Sequence, residues 1–450
     1  MKLAWRVTTA GLLVVIVLFV IGVRSVTEAA SSGAKCTKTG MTQKTKGVTY
    51  VCKKTGSKLL WVTTTTKTGA ALTPTTTTVA TASSTTGTMT SISACKLPVA
   101  DGRGDVSIGG WPRITERLKT TGTVVATVIM VDFPDAPAKI SPQEAFARIS
   151  GATDTFNEVS YGRLNYSFQP QYKWYRMSKS STQYAPLNKS FLTHRDYILE
   201  ATALADADIN FGSTDSVIIL SNPDASGIGN AGPAFSAVNR GGITLDGKYI
   251  SNGATSAYDL NYWKSIWLNH EVTHTLGLVD VYAATTENSS NRYDGHRYVG
   301  EFSYMGLSSF DGNAPSLFAF ERWNLGWLDD SQIVCSSEKV ISQLIAPVQT
   351  TGGIKALILP LSRTKALVVE SRRAIGLDSN IVKTGALVYT VDSSVQSGNG
   401  PVRVYPNSVS TDPRYLQAPR AVGESVTVEG ITVTVTSSDL NGDTVSIRRP

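Results

Sequence analysis

Apolar and polar positions alternate between two textures along this chain. Residues 123–133 read TVVATVIMVDF, a β-branched run that predicts a buried central strand, and SVIIL at 216–220 predicts a second. Between them, Phe146, Ile149 and Phe156 are spaced for one face of a helix over 142–159, and a second helix is predicted over 196–208. Asp246-Gly247 between β-formers marks a hairpin over 243–250. In LNYWKSIWLNHEVTHTL, residues 260–276, Trp263, Ile266, Trp267 and His270 fall at helical spacing, with Gly277 where a C-cap belongs. These elements predict an α+β domain over 94–335. Beyond Cys335 the runs at 354–361, 366–371, 385–392, 423–428 and 431–435 are short, β-like and separated by turn residues, which predicts an all-β sandwich-like domain over 336–450.

The N-terminal 93 residues differ from both. A cationic start precedes an uncharged stretch whose apolar heart is residues 11–23, and Ala29-Ala30-Ser31 follows as a small-residue site. Residues 1–30 are therefore expected to be a signal peptide or signal anchor, and the bulk of the chain to be secreted or displayed at the cell surface. Residues 31–62 form a miniature module with β-like runs at 48–52 and 58–62, too small to fold without a staple. Residues 63–93 are Thr- and Ser-rich, lack an apolar set and predict an extended linker.

Composition narrows the reading further. The 450 residues carry a net charge of +7, but seven Lys and no Asp or Glu fall within 35–61, and from 62 onward 34 acidic residues outnumber 32 basic ones. No basic face on the main body supports a nucleic-acid partner. The lysines of 35–62 suit contact with anionic cell-wall polymers, or equally a solvated spacer. Membrane contact is expected only through an uncleaved N-terminal segment. In an exported chain Cys36, Cys52, Cys95 and Cys335 are disulfide candidates. Three connectivities are open; the simplest closes a local loop with Cys36–Cys52 and clamps the main body with Cys95–Cys335.

The chemistry lies at His270-Glu271-Val272-Thr273-His274. With four His in the chain, a chance HExxH is on the order of one in a thousand. Residues four apart share a helix face, so both imidazoles can hold one Zn2+, with Glu271 beside it as a general base. Gly277 allows the chain to reverse, and Asp280, six residues past His274, stands where a third ligand can return; alternatively it only braces the turn. His296, Glu301 and Glu321 are the fallback ligands. Asp439-Leu-Asn-Gly-Asp443 resembles part of a calcium loop but reads more simply as a turn.

HEVTHTLGLVDVY resembles the extended motif of immune-inhibitor-A-like secreted metallopeptidases of the metzincin clan. Val131-Asp-Phe-Pro-Asp135, Glu158-Val-Ser-Tyr-Gly162, Ser303-Tyr-Met305-Gly306 and the segment from Ala314 to Leu328 are similar to further family segments, so the likeness spans roughly residues 120–330. The resemblance implies a metzincin-like catalytic domain, zinc-dependent cleavage of protein or peptide substrates, His270, His274 and Asp280 as ligands, Glu271 as base and Met305 in a Met-turn; an ordinary core Met is the alternative for Met305. Tyr304 and Tyr282 are candidate oxyanion stabilisers by proximity. Against the family pattern, no long C-terminal array of accessory domains and no propeptide beyond the stalk is expected. The competing functional expectation is a wall-binding or adhesive surface protein on a peptidase-like scaffold; a different metallohydrolase using the same helix is a third.

Overall fold

The computed structural model describes residues 35–39, 41–45, 48–55, 58–63, 90–99, 110–185, 190–307, 312–406 and 411–450. The expected leader, residues 1–30, and most of the expected linker lie outside the described residues. Among the described residues no helix is long and apolar enough to cross a membrane. The chain divides into two units, residues 1–84 and 85–450.

The first unit is a three-stranded antiparallel sheet, Thr42–Thr45, Val48–Thr55 and Lys58–Thr63 in that order. Its buried core is little more than Cys52 and the Trp61 paired with it across the strands. The Cys36–Cys52 disulfide supplies the cross-link that so small a core cannot replace. The first strand, TQKT, has no apolar alternation and is held by backbone pairing, which is why its sequence does not announce it.

The second unit is mixed α/β and dominated by sheet. Its first sheet has the order Leu164–Arg176, Gly122–Asp132, Ser216–Ser221, Asn252–Thr255, Ala234–Ser236. Four strands are parallel, and the edge strand Ala234–Ser236 runs antiparallel. The central strand is buried on both faces, as its continuous apolar run demands. Val124, Ala126, Val128 and Met130 join the core shared with helices Ala152–Val159 and Leu260–Leu276. Ile129 and Val131 face the core shared with helix Phe191–Ala205. The expected helix over 142–159 is two helices, Pro142–Ala147 and Ala152–Val159, broken at residues 148–151. The second expected helix begins earlier than predicted, at Phe191, because Ser190 accepts a hydrogen bond from Thr193 N–H as its N-cap. The hairpin at 243–250 forms, with positive φ at Asp246 and Gly247.

After Cys335, which is bonded to Cys95, two sheets pack face to face. One contains Ile333–Cys335, Ala356–Pro360, Lys365–Arg372, Gly385–Asp392 and Val402–Val404; the other contains Val340–Ile345, Gly442–Arg448, Ile431–Asp439 and Ser425–Val428. Leu357, Leu367, Val388, Val433 and Ile447 share the core between them. The opposite face of the first of these sheets, including Ile358, Val368, Leu387 and Tyr389, belongs to the same continuous core as Leu317, Phe318 and Trp323. Asp439-Leu-Asn-Gly-Asp443 is the hairpin turn between two strands, and Asp443 is engaged by Arg373, Ser371 and Ser438.

A buried ionic network pins this sheet to the preceding helix. Arg372 Nε donates to Glu370 at 2.5 Å and Nη1 to Asp378 at 2.7 Å, all three side chains being fully buried. Arg372 also donates to the carbonyls of Ser316 and Leu317, while Glu370 accepts from Ala319 N–H and Tyr389 Oη–H. Arg372→Met is therefore expected to leave two buried carboxylates without their cation and to cost about 3–5 kcal/mol. The readout is a lowered urea midpoint, with Arg372→Lys recovering only part because an ammonium cannot reproduce the planar fork.

Candidate metal centre

The helix Leu260–Leu276 consists of two helical pieces joined at Lys264 (φ 46°, ψ −127°). Leu268, Val272 and Leu276 recur every four residues and are buried in the main core, so His270 and His274 project from the other side. The last four carbonyls of the helix are all satisfied. Thr273 O accepts from Gly277 and Leu278, His274 O from Gly277 and Arg117, Thr275 O from Leu118, and Leu276 O from Arg113. Gly277 closes the helix in the left-handed region (φ 117°), and no heavy atom stands within 4 Å of a Cβ placed there. The requirement for glycine is thus backbone conformation and not space.

That reversal brings Asp280 back to the imidazoles. His270 Nε2 lies 3.0 Å from Asp280 Oδ1, His274 Nε2 3.3 Å from the same oxygen, and the two Nε2 atoms 3.2 Å apart. Each ring is oriented from behind: His270 Nδ1 donates to Tyr304 O at 2.8 Å and His274 Nδ1 to Leu278 O at 2.9 Å. A carbonyl only accepts, so in the neutral rings Nδ1 carries the hydrogen and each Nε2 presents a lone pair. Three donor atoms therefore converge on one point. An ion bonded to three tetrahedral donors at ~2.0–2.1 Å spreads them about 3.3 Å apart, which matches the observed separations. The three side chains keep 17, 20 and 23% of their surface exposed, so the point is reachable from solvent.

Glu271 lies beside this triangle. Its Oε2 accepts from Ala234 N–H of the edge strand at 2.7 Å. Burial raises it above the usual carboxylate range, while the neighbouring imidazoles pull it back. The turn holding Ser303 (φ 66°) to Gly306 supports both ligand elements. Tyr304 O takes His270, and Met305 O accepts from Val281 N–H, next to Asp280. Met305 is fully buried. Tyr304 Oη bonds Thr273 in the core, whereas the Tyr282 ring lies alongside His270.

Among the described residues, only His270, His274 and Asp280 form a set of metal-capable donors. The fallback candidates are elsewhere. His296 donates to Gly300 O, Glu301 accepts from Asn313 N–H, and Glu321 braces the turn by accepting from Ser303 and Phe318. Burial pushes the Glu321 carboxyl up to about 7 despite those two donors.

Five contributors had no motif to reveal them. Ser397, in the loop between strands Gly385–Asp392 and Val402–Val404, donates to Asp280 Oδ2 at 3.2 Å and accepts from Asp280 N–H at 3.1 Å. Gly398 N–H donates to Asp280 O; its φ is 72° and a Cβ there would stand 2.5 Å from Ala284 Cβ. The β-rich tail, where no chemistry was expected, thus completes the site. His194, Arg117 and Arg240 line the cavity next to Glu271 and His274. No protein-family model and no curated protein matches this chain.

Two outcomes follow. Ser397→Ala frees one carboxylate oxygen of Asp280, and zinc affinity, measured by competition with a chromophoric chelator, should fall about tenfold or more. The second concerns pH. In the metal-free centre burial opposes charge on the rings, but the Asp280 hydrogen bond and the Glu271 and Asp280 charges outweigh it, pushing His270 up to about 9 and His274 also upward. A raised folded-state value stabilises the fold fully below the ordinary value of 6.5, and this contribution disappears as pH rises through about 9. Chelator-stripped protein should therefore lose thermal stability between those values. Zinc-loaded protein, whose ligands no longer carry the protons, should not show that fall in Tm.

Proposed function

We propose that this chain is an exported zinc-dependent endopeptidase of the immune-inhibitor-A-like, metzincin type, acting on protein or peptide substrates. The observation that carries the reading is the convergence of His270 Nε2, His274 Nε2 and Asp280 Oδ1 within 3.3 Å, with Glu271 alongside at an accessible cleft. Zinc held by these three residues supplies Lewis-acid polarisation of a carbonyl and a lowered pKa for water. Glu271, fixed through Oε2 by Ala234 N–H and raised by burial, is suited to take a proton from water and pass it to the departing amine. Pro233, Ala234 and Ser236 of the edge-strand segment line the cleft, and an extended peptide can pair along such an edge. Tyr282, whose ring lies alongside His270, is the candidate donor to a developing oxyanion. The two disulfides suit an oxidising compartment. The lysine-rich module of residues 35–62 is assigned contact with anionic wall polymers.

The test is cleavage of casein by full-length zinc-loaded protein. Activity should vanish with chelator, return with zinc, and fall about 10^3-fold or more in Glu271→Gln while zinc remains bound. Stoichiometric zinc with undiminished cleavage by Glu271→Gln would remove the proposed base, and absence of any cleavage by the wild type would favour the adhesive reading.

A further inference from the structure

The turn Ser303–Gly306 touches both arms of the candidate metal centre, so whatever sets the turn also sets the ligands. Tyr304 O accepts from His270 Nδ1, and Met305 O accepts from Val281 N–H beside Asp280. The turn opens at Ser303 with φ 66°, a region that residues other than glycine rarely adopt. The Ser303 hydroxyl bridges two ways: it accepts from Met305 N–H at 3.2 Å and donates to Glu321 Oε2 at 3.0 Å. Glu321 lies on helix Ala319–Asn324 and is buried. We propose that Glu321 is a positioning residue of the metal centre, acting through the Ser303 hydroxyl on the turn against which His270 and the Asp280 arm rest. This deepens the reading of the site as a zinc centre and rests on it.

A glutamate at the third position of a helix ordinarily braces the helix end, and burial sets this one apart from that role. Glu144 holds the equivalent place in helix Pro142–Ala147. It is exposed, accepts from Ser141 N–H at 2.8 Å, and that bond holds its carboxyl below the usual range. Glu321 accepts from Phe318 N–H at 2.8 Å, yet burial outweighs that bond and the one from Ser303 and pushes it up to about 7. Its Oε1 is buried with no hydrogen-bond partner among the described residues, a cost that bracing a helix end does not require. Arg372 of the C-terminal sheet favours the ionised form, but that guanidinium is held between Glu370 and Asp378, and Glu370 opposes ionisation. Arg322, on the same helix, donates to Leu317 O, Val159 O and Ser316 Oγ. Tyr304 of the turn faces Glu321 as a neutral phenol, pushed upward by its own burial. What a carboxylate adds here, and an amide would not, is a charge-assisted grip on the Ser303 hydroxyl.

That grip and the fold respond to pH in opposite senses. A folded-state value above the ordinary 4.5 stabilises the fold fully below 4.5, and this contribution disappears as pH rises through about 7. Over the same rise the bond to Ser303 becomes charge-assisted. Glu321→Gln keeps the shape and an acceptor for Ser303 but stays neutral throughout.

The experiment uses full-length protein. Zinc affinity is measured by competition with a chromophoric chelator, and ligand geometry by the visible absorption bands of the cobalt(II)-loaded form. At about pH 8, Glu321→Gln should bind zinc about tenfold more weakly than the wild type and show altered cobalt bands, while the Tm of its metal-free form is equal or higher. At about pH 6, where the wild-type carboxyl is mostly protonated, the difference in affinity should shrink to about twofold. Ser303→Gly removes the hydroxyl and suits the positive φ, which guards against a failure of the first variant to fold. It should weaken zinc by a similar factor at about pH 8, and the double variant by no more than either alone. Unchanged zinc affinity and cobalt bands in either variant overturn the positioning role and leave the centre standing. A lowered Tm in Glu321→Gln with the same loss of affinity at both pH values also overturns it, since a structural brace alone behaves that way. No zinc binding by the wild type overturns the centre and its support together. The expected affinities without cleavage of casein uphold the positioning role and reject the peptidase.

Discussion

Three atoms that each present a lone pair are held about 3 Å apart, an arrangement that is repulsive unless a proton or a cation sits among them. Everything around the site enforces that crowding. Backbone carbonyls of Tyr304 and Leu278 occupy the rear nitrogens of the two imidazoles and turn the front nitrogens toward each other. The left-handed residue after the helix returns Asp280 within reach, and the Ser397 hydroxyl takes its second oxygen. A set of side chains free to rotate would relieve the repulsion by moving apart; these cannot without giving up hydrogen bonds behind them.

The fold explains how that crowding is held. The helix bearing the imidazoles buries Leu268, Val272 and Leu276 against the parallel sheet, and its end carbonyls are taken by Arg113, Arg117 and Leu118. The edge strand then fixes Glu271 through one backbone amide. One face of that sheet and the face of the first C-terminal sheet turned away from its partner sheet share one core with the helix and the turn at Tyr304–Met305.

What the sequence revealed follows the range of the interactions involved. His270, Glu271, His274, Gly277 and Asp280 lie within eleven consecutive residues, so helix periodicity and one glycine suffice to bring them together. The central strand and the C-terminal sheet strands were readable because burial on one or both faces leaves an apolar signature. The kink at Lys264 leaves no such trace. Strand Leu164–Arg176 was missed because it is mostly half-buried or exposed and carries Pro170 near its register shift. Arg117 and Arg240 reach the site from 143 and 20 residues before the helix begins, and Ser397 from 121 residues after it ends. No local spacing encodes such approaches; they exist only once the sheets have assembled. Met305 stands out only through the resemblance of its neighbours to a family segment, and its packing alone is that of any buried methionine.

The hydroxyl that steers Asp280 comes from a residue 117 positions downstream. A chain cut short before it would carry both histidines and the glutamate, yet lack the partner that orients the acid between them. The geometry of the candidate centre is thereby coupled to the C-terminal sheet, and the helix with its recognisable motif is not a transplantable device. Whatever lineage shuffles these segments must carry the C-terminal sheet along with the histidines.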